Sequence, residues 1–178
     1  MSRINTPTVA SATGVTAEVF AEIKRAAGKV PNTFAAIGAL NPEALKAVLA
    51  ADGALAAGNL SATDRETIKL VVSAVAGCDY CVAAHSLLGK MAGVKPEALK
   101  QIREGLPTGD TKRDALVHFV RELQQTSGTI SDEVYAAIRA AGYTEAQLVD
   151  IALAITTTVF TNVFNRINDT VLDFPRVA

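Results

Sequence analysis

The sequence predicts an all-α protein, because helix start and stop signals are frequent and strand signals are nearly absent. The 178 residues are 49% apolar but only 5% aromatic. Most of the apolar residues are alanine, valine, leucine and isoleucine, a mixture that suits closely packed helices. That length fits one domain with a sizeable core, or a compact unit of two similar halves. We predict about eight helices in a single domain over residues 1–178, with no dividing linker.

The first three helices are predicted from residues that begin and end helices. We place them at 16–28, 32–40 and 42–58. Asn32 can cap the second helix. The third begins strongly, because Pro42 follows Asn41 and occupies the first helical position, where its missing N–H costs nothing. Gly58 ends that helix.

Two helices follow in the middle of the chain. Ser61 or Thr63 opens the first, and the segment from Thr63 to Glu66 fits a reciprocal capping box. Its apolar positions have helical spacing and predict one buried face: Ile68, Val71, Val72 and Val75. Gly77 permits a break, so Cys78 lies at or near the start of the next helix, which runs to about Ala92.

The remaining helices are predicted at 96–104, 111–126 and 132–140, followed by a long one that a second capping box opens at Thr144–Gln147. A weak internal sequence similarity is seen when Leu60 is aligned with Tyr143, since both precede a capping signal and a long apolar helix. A duplicated helical unit would explain it. Only the first copy would carry the cysteines.

Charge and hydropathy exclude several functions. The net charge is −1 and the signs are interspersed, so we expect neither nucleic acid nor a membrane surface as a partner. Residues 1–7 lack the order of a secretory signal, and we expect a cytoplasmic protein. The apolar run 151–163 is interrupted by threonines and is shorter than the roughly 20 residues a membrane span needs. We expect it to be a buried core helix.

The chemistry is expected at Cys78-Asp79-Tyr80-Cys81, with His85 four residues later. On a helix, this spacing places both thiols and the imidazole on one face. A helix start stabilises a thiolate, and Cys81 would receive the influence of both the helix dipole and His85. Cys81 is therefore the candidate nucleophile. Cys78 is placed to resolve a sulfenic acid on Cys81 into a disulfide.

Glu66 has two possible roles. It can close the capping box of its own helix, or it can pair with His85 if the two helices pack antiparallel after Gly77. Burial would favour its neutral form and an imidazolium its ionised form. Tyr80 could donate a hydrogen bond in the pocket or simply pack. Asn165 and Asn168 could line the pocket or cap the last helix.

These residues resemble the alkylhydroperoxidase D-like branch of the carboxymuconolactone decarboxylase superfamily. The resemblance rests on Glu66, the Cys78–Cys81 motif and His85, and it extends over about 28–174. Further segments that resemble the family are Gly28-Lys29-Val30-Pro31-Asn32, Leu60-Ser61 and Thr161-Asn162-Val163-Phe164-Asn165-Arg166.

The resemblance implies an all-helical fold, a homotrimer or homohexamer, and a thiol-dependent peroxidase that needs no metal, haem or other cofactor. It also implies the same roles: Cys81 as nucleophile, Cys78 as proton donor and resolving thiol, and Glu66 with His85 as a proton relay. One departure is Tyr80, where the best-known peroxidase of the family has a histidine. A phenol carries protons poorly near neutral pH. The family's lactone decarboxylases lack the thiol pair, so we do not expect decarboxylation.

We therefore predict a reductase of hydroperoxides that cycles through a Cys78–Cys81 disulfide, with an unknown thiol or a lipoyl protein as reductant. A second hypothesis keeps the dithiol but makes the chain a thiol-disulfide oxidoreductase. A third is an oligomeric scaffold in which Cys78, Cys81 and His85, with Glu66 as fourth ligand, hold zinc. Inert buried thiols complete the alternatives.

Overall fold

The computed structural model describes residues 2–177, and over these residues the chain is entirely helical, as predicted. A short 3₁₀ helix at Val9–Ser11 precedes nine α-helices, one for each segment placed individually in the sequence, although their number was expected to be about eight. They are α1 Gly14–Ala27, α2 Asn32–Leu40, α3 Pro42–Ala57, α4 Ala62–Val75, α5 Asp79–Met91, α6 Pro96–Glu104, α7 Thr111–Gln125, α8 Asp132–Ala140 and α9 Glu145–Asn168.

Three helix starts differ from the sequence predictions. Helix α1 begins at Gly14, with Thr13 as its N-cap, rather than at Thr16, and the caps predicted for α2 and α4 also differ. Asn32 does not cap α2: Pro31 holds the N-cap position, and Asn32 is the first helical residue. Its side-chain Nδ2 instead donates a hydrogen bond to the carbonyl of Val171, at 2.8 Å, near the other end of the chain. The cap predicted at Asn41 is confirmed, since its Oδ1 accepts from Ala44 N at 3.0 Å.

The predicted capping box from Thr63 to Glu66 is wrong. Ser61 is the N-cap of α4, and its Oγ accepts from the backbone N–H of Asp64 at 3.0 Å. The N-cap therefore lies two residues before Thr63, and Asp64 occupies the position that a capping-box acid would hold. Glu66 lies further along the first turns and is free for another partner.

Helix α4 lies at the centre of the fold and packs against α5, α6, α7 and α9. Its residues Ile68, Leu70, Val71 and Val72 are fully buried in the main hydrophobic core. A second, smaller core joins α1, α2 and α3 through Phe20, Ile37, Leu45 and their neighbours. The site is built where these two cores meet the start of α5.

A glycine turn sends α5 back along α4. Gly77 has a φ of +64°, a left-handed conformation that glycine adopts without steric cost. The N–H of Cys78 donates to Ser73 O at 3.1 Å and closes the end of α4, so that only three residues separate α4 from α5. The two helices are antiparallel, which places the start of α4 beside the middle of α5.

Helix α9 closes the fold and is longer than the apolar run predicted. It opens with the capping box expected at Thr144 and Gln147, where Gln147 N donates to Thr144 Oγ1 at 3.2 Å and Thr144 N donates to Gln147 Oε1 at 2.9 Å. Among residues 2–177 it is the one helix that is long and apolar enough to cross a membrane, judged by length and composition alone.

Only 28% of the most apolar window of α9 is buried, so the expectation of a buried core helix is only partly right. One face packs against α3, α4 and α5. The opposite face leaves large apolar side chains in solvent, namely Val149, Phe160, Val163 and Ile167. The helix therefore has two apolar faces. One packs against the rest of the fold, and the other has no partner within the described chain.

Candidate active site

The two cysteines form a disulfide at the start of α5, and both are almost completely buried. Cys78 is 2% exposed and Cys81 is 4% exposed, with their Cα atoms 5.4 Å apart. Cys78 is the N-cap residue, and its Sγ accepts from the backbone N–H of Cys81 at 3.4 Å. Unpaired backbone N–H groups at a helix start stabilise negative charge, so a reduced Cys81 lies where a thiolate is favoured.

Asn165 provides a side-chain contact to Cys81. Its Nδ2 lies 3.2 Å from Cys81 Sγ and donates a hydrogen bond to it, and its Oδ1 accepts from the hydroxyl of Thr33 at 2.7 Å. Both residues are buried. The amide is thus fixed with its donor toward sulfur. Of the two roles considered for Asn165, the structure supports contact with the site, whereas Asn168 accepts from Ile4 N at 2.9 Å.

Glu66 and His85 are brought together by the antiparallel packing of α4 and α5. His85 Nδ1 donates to Glu66 Oε2 at 2.9 Å, and their side chains are only 14% and 15% exposed. Burial raises the pKa of Glu66, but the charges of His85, Lys69 and Arg65 and the hydrogen bond from His85 outweigh it. The net pKa of Glu66 lies below its ordinary value of 4.5, so the carboxylate is ionised at neutral pH.

Tyr80 lies between the two cysteines in the sequence, and its side chain contacts Asp173, far along the chain. Its hydroxyl donates to Asp173 Oδ1 at 2.6 Å and accepts from the backbone N–H of Thr33 at 3.3 Å. Burial, together with the hydrogen bond to Asp173, raises the pKa of Tyr80 far above its ordinary value. The phenol therefore keeps its proton at neutral pH and serves as a hydrogen-bond donor.

A C-terminal strap, residues 170–177, covers the disulfide. Leu172 and Phe174 pack against the cluster of Cys78, Tyr80 and Cys81. The Phe174 ring meets the Tyr80 ring edge-on with centroids 5.4 Å apart, and Lys29 Nζ lies 4.6 Å from its centroid. Lys29 also pairs with Asp173 at 3.0 Å. The strap is thus held by the contacts of two of its residues, Phe174 and Asp173.

A cavity of about 120 Å³ opens beside Cys81. Cys81, His85 and Asn165 are in its wall, and most of the remaining wall is apolar: Phe34, Val48, Ala84, Leu88 and Phe174. Lys69 and Asp52 form a largely buried ion pair in the same wall, with Nζ and Oδ1 2.7 Å apart. The cavity can hold a small, mainly apolar molecule against Cys81.

The structure brings together every site residue predicted from the sequence: Glu66, Cys78, Tyr80, Cys81 and His85. Thr33, Asp173 and Phe174 were missed, because nothing in their local sequence relates them to the cysteines. Within residues 2–177 no group of three or more His, Cys, Asp and Glu side chains is arranged to hold a metal ion.

The comparisons with known proteins agree with this fold. Residues 42–111, which carry Glu66 and both cysteines, match the model of the carboxymuconolactone decarboxylase family. No curated protein matches the chain. A peroxidase-related protein of unknown function from Ralstonia eutropha JMP134, described as an alkylhydroperoxidase AhpD core, superposes with a TM-score of 0.84 and 24% identity over 97% of this chain and 92% of its own.

Two further solved structures are similar. A peroxidase-related protein from Silicibacter sp. TM1040 has a TM-score of 0.79 and 23% identity, covering 96% of this chain and 94% of its own. A cysteine-to-alanine variant of the debrominase Bmp8, in complex with 2,3,4-tribromopyrrole, also has a TM-score of 0.79, with 19% identity over 97% and 94% of the two chains. At these identities the structures establish the fold alone.

Fold and site together define an all-α protein with a buried dithiol at a helix start. Residues 42–111 are similar to the carboxymuconolactone decarboxylase family, and the fold is similar to that of the AhpD core structure, in agreement with the resemblance seen in the sequence.

Proposed function

We propose that the protein is a thiol-dependent hydroperoxide reductase. One observation carries the proposal: the ionised Glu66 holds His85 at 2.9 Å, one helical turn from Cys81, in the wall of the cavity that Cys81 shares. A carboxylate that orients an imidazole beside a thiol is the arrangement that activates a nucleophilic cysteine. The neighbouring Asn165 adds a donor for the thiolate.

The proposed cycle begins with proton transfer from Cys81 to His85. The thiolate attacks one peroxide oxygen, the O–O bond breaks, and the alkoxide leaves as an alcohol after taking the proton from His85. Cys81 is then a sulfenic acid. The thiol of Cys78 attacks its sulfur and water leaves, which gives the Cys78–Cys81 disulfide that the structure contains.

The cavity supports a small organic hydroperoxide as substrate. Its wall beside Cys81 is mainly apolar, and the Lys69–Asp52 pair offers one polar contact. An alkyl or aryl group would remove this apolar wall from water, whereas hydrogen peroxide would gain nothing from it. We therefore expect a higher rate with cumene hydroperoxide than with hydrogen peroxide.

The test is mass spectrometry of the reduced protein after one equivalent of cumene hydroperoxide, with rapid-quench timing of thiol loss. Wild type should form the Cys78–Cys81 disulfide. Cys81→Ser should remain reduced, and Cys78→Ser should be oxidised once and stop at the sulfenic acid. If Cys81→Ser is oxidised as fast as wild type, Cys81 is not the nucleophile and the proposal fails.

A second candidate is reductive debromination, which the similarity to Bmp8 and the aromatic side chains beside Cys81 favour. In that reaction the dithiol would give two electrons to a bromopyrrole, replacing C–Br by C–H, releasing HBr and leaving the disulfide. The same reduced protein, incubated with 2,3,4-tribromopyrrole, would release bromide in step with disulfide formation. Thiol loss with peroxide but no bromide release would exclude this candidate.

The two other hypotheses from the sequence have less support. A thiol-disulfide oxidoreductase acting on proteins needs an accessible sulfur, but both cysteines are buried. A zinc-binding scaffold needs Glu66 as a ligand, and its carboxylate is engaged by His85. Zinc analysis of the purified protein, combined with thiol titration, checks the scaffold directly.

We also propose that the protein is a homotrimer or homohexamer, located in the cytoplasm. The exposed apolar face of α9 supports association, because Phe160, Val163 and Ile167 recur at helical spacing on its outer side. A second copy of this helix would cover such a stripe. Sedimentation at micromolar concentration should show the oligomer in wild type and a smaller species in a Phe160→Glu, Val163→Glu double variant.

A further inference from the structure

A second cavity, of about 270 Å³, lies on the other side of the disulfide. Cys78 is in its wall and Cys81 is not, whereas Cys81 is in the wall of the first cavity and Cys78 is not. Tyr80 and Asn165 are in the walls of both, so these two side chains separate the cavities. Each sulfur-bearing residue thus has a cavity of its own.

We propose that the reductant of the disulfide binds in this second cavity as a small zwitterionic thiol and attacks Sγ of Cys78. The inference rests on the proposed thiol cycle and identifies where and by what chemical class the cycle is closed. The peroxide and the reductant would then reach the disulfide from opposite sides, without competing for one entrance.

Charge in the second cavity selects the class of thiol. Its wall contains one cation, Arg166, and two carboxylates, Asp79 and Asp169. Within residues 2–177 the Arg166 guanidinium forms no ion pair. A thiol that carries both a carboxylate and an ammonium group can pair with both signs, and the guanidinium fork suits a carboxylate in particular. In the first cavity the Lys69 ammonium and the Asp52 carboxylate already pair with each other, with Nζ and Oδ1 2.7 Å apart.

The choice of sulfur follows from the leaving group. In thiol-disulfide exchange, the sulfur that is better stabilised as a thiolate leaves faster. Cys78 Sγ accepts from the backbone N–H of Cys81 at 3.4 Å, whereas Cys81 Sγ has the shorter contact of 3.2 Å from the Asn165 amide and lies one helical turn from His85, so Cys81 is the better leaving group. A thiol in the second cavity would therefore attack the cysteine that lines that cavity, Cys78, and Cys81 would leave as the thiolate.

The first cavity is a poorer route for the reductant. Phe174 of the C-terminal strap is in its wall, and the strap is held by Tyr80 and Lys29. The second cavity contains Thr170, where the strap begins, but none of the residues beyond it. A thiol can therefore approach Cys78 without displacing Phe174.

The reduction is balanced as two exchanges. The first thiolate forms a bond to Cys78 Sγ, and the Cys78–Cys81 bond breaks to leave Cys81 as a thiolate. A second thiolate then attacks the sulfur of the reductant that is bound to Cys78. This forms the free disulfide of the reductant and releases Cys78, which takes up a proton to become a thiol. Two electrons pass from two reductant thiols to the protein disulfide.

The test uses protein whose disulfide is formed with diamide, so that it does not depend on peroxide reactivity. Reduction is started with cysteine, which is zwitterionic, or with the neutral 2-mercaptoethanol, and is quenched with N-ethylmaleimide. Mass spectrometry should find cysteine on Cys78 and N-ethylmaleimide on Cys81. In Arg166→Ala the rate with cysteine should fall about tenfold, the loss expected for one charge-assisted contact.

The rate with 2-mercaptoethanol should change less than about twofold in Arg166→Ala, because this thiol has no charge to pair. Arg166→Lys should recover part of the rate with cysteine. Arg25→Ala, a matched change at an exposed arginine of α1, should leave both rates unchanged. An adduct on Cys81, an equal loss for both thiols, or no reduction of the folded protein by either thiol overturns the inference, while peroxide consumption tests the proposed function separately.

Discussion

Replacing Glu66 by glutamine tests the proposed proton relay at the buried hydrogen bond between Glu66 and His85. Glutamine keeps the length of the side chain and can still accept from His85 Nδ1, but it removes the charge. A hydrogen bond to a charged group contributes about 1.5–3 kcal/mol, against about 0.5–1.5 kcal/mol for a neutral one. The variant therefore loses about 1–1.5 kcal/mol of stabilisation of positive charge at His85, which is about a tenfold change in an equilibrium constant.

That loss should appear in the rate of the first oxidation. With His85 a poorer base, less of Cys81 should be thiolate at neutral pH. At pH 7 the rate of thiol loss with cumene hydroperoxide should fall about tenfold, and most of the rate should return when the pH is raised by about two units. The assay is rapid-quench alkylation over a range of pH, with the circular dichroism spectrum as a check on folding.

The matched control is Glu122→Gln, at a half-buried carboxylate on α7 that is in neither cavity wall. It should leave the rate and the pH profile unchanged. An unchanged profile for Glu66→Gln would refute the relay, and so would an equal loss of rate at every pH, since a purely structural defect is not repaired by alkali.

Three further predictions follow from packing and charge. A Cβ at Gly38 would lie 2.6 Å from Phe20 Cε1 and 2.7 Å from Leu45 Cδ2, whereas one at Gly53 would meet nothing within 4 Å. In urea denaturation Gly53→Ala should therefore be stabilising by about 0.5–1 kcal/mol, and Gly38→Ala should be about 1–3 kcal/mol less stable than Gly53→Ala. Equal effects of the two would contradict the packing argument. Phe174→Ala removes the ring that covers Tyr80 and one wall of the first cavity, so iodoacetamide should alkylate the reduced protein about tenfold faster; an unchanged rate would show that the strap does not control access. Because the pKa of Glu66 is lower in the folded chain than its ordinary value of 4.5, the stabilisation it gives is complete above that pH and is lost as the pH falls through the folded value. The free energy of unfolding should thus fall more steeply below pH 4.5 in wild type than in Glu66→Gln, and parallel curves would contradict the assignment.

The helices could be predicted from the sequence because their signals are local. The bounds of α2, α6 and α8 agree with prediction, since proline, glycine and capping residues act within a turn of the helix ends. The start of α4 was ambiguous because Ser61 and Thr63 are both good caps. That ambiguity extended to Glu66, whose role depends on which of the two begins the helix.

The site was only half predictable, for a reason of distance along the chain. Cys78, Cys81 and His85 lie within eight residues, and helical spacing alone brings them together. Asn165 was at least conspicuous as a polar residue on an apolar helix. Thr33 is 47 residues from Tyr80 and Asp173 is 93 residues from it, and neither has any local feature that indicates contact.

The contact between Tyr80 and the C-terminal strap also affects how the chain is made. Synthesis proceeds from the amino end, so Cys78 and Cys81 leave the ribosome before Asn165 and Asp173 have been added, 84 and 93 residues after their partners. Until then α9 and the strap cannot cover the thiols, and the long separation makes these contacts late in folding. The nascent chain therefore passes through a stage in which its cysteines are open to solvent, and the segment that encloses them is translated only long afterwards.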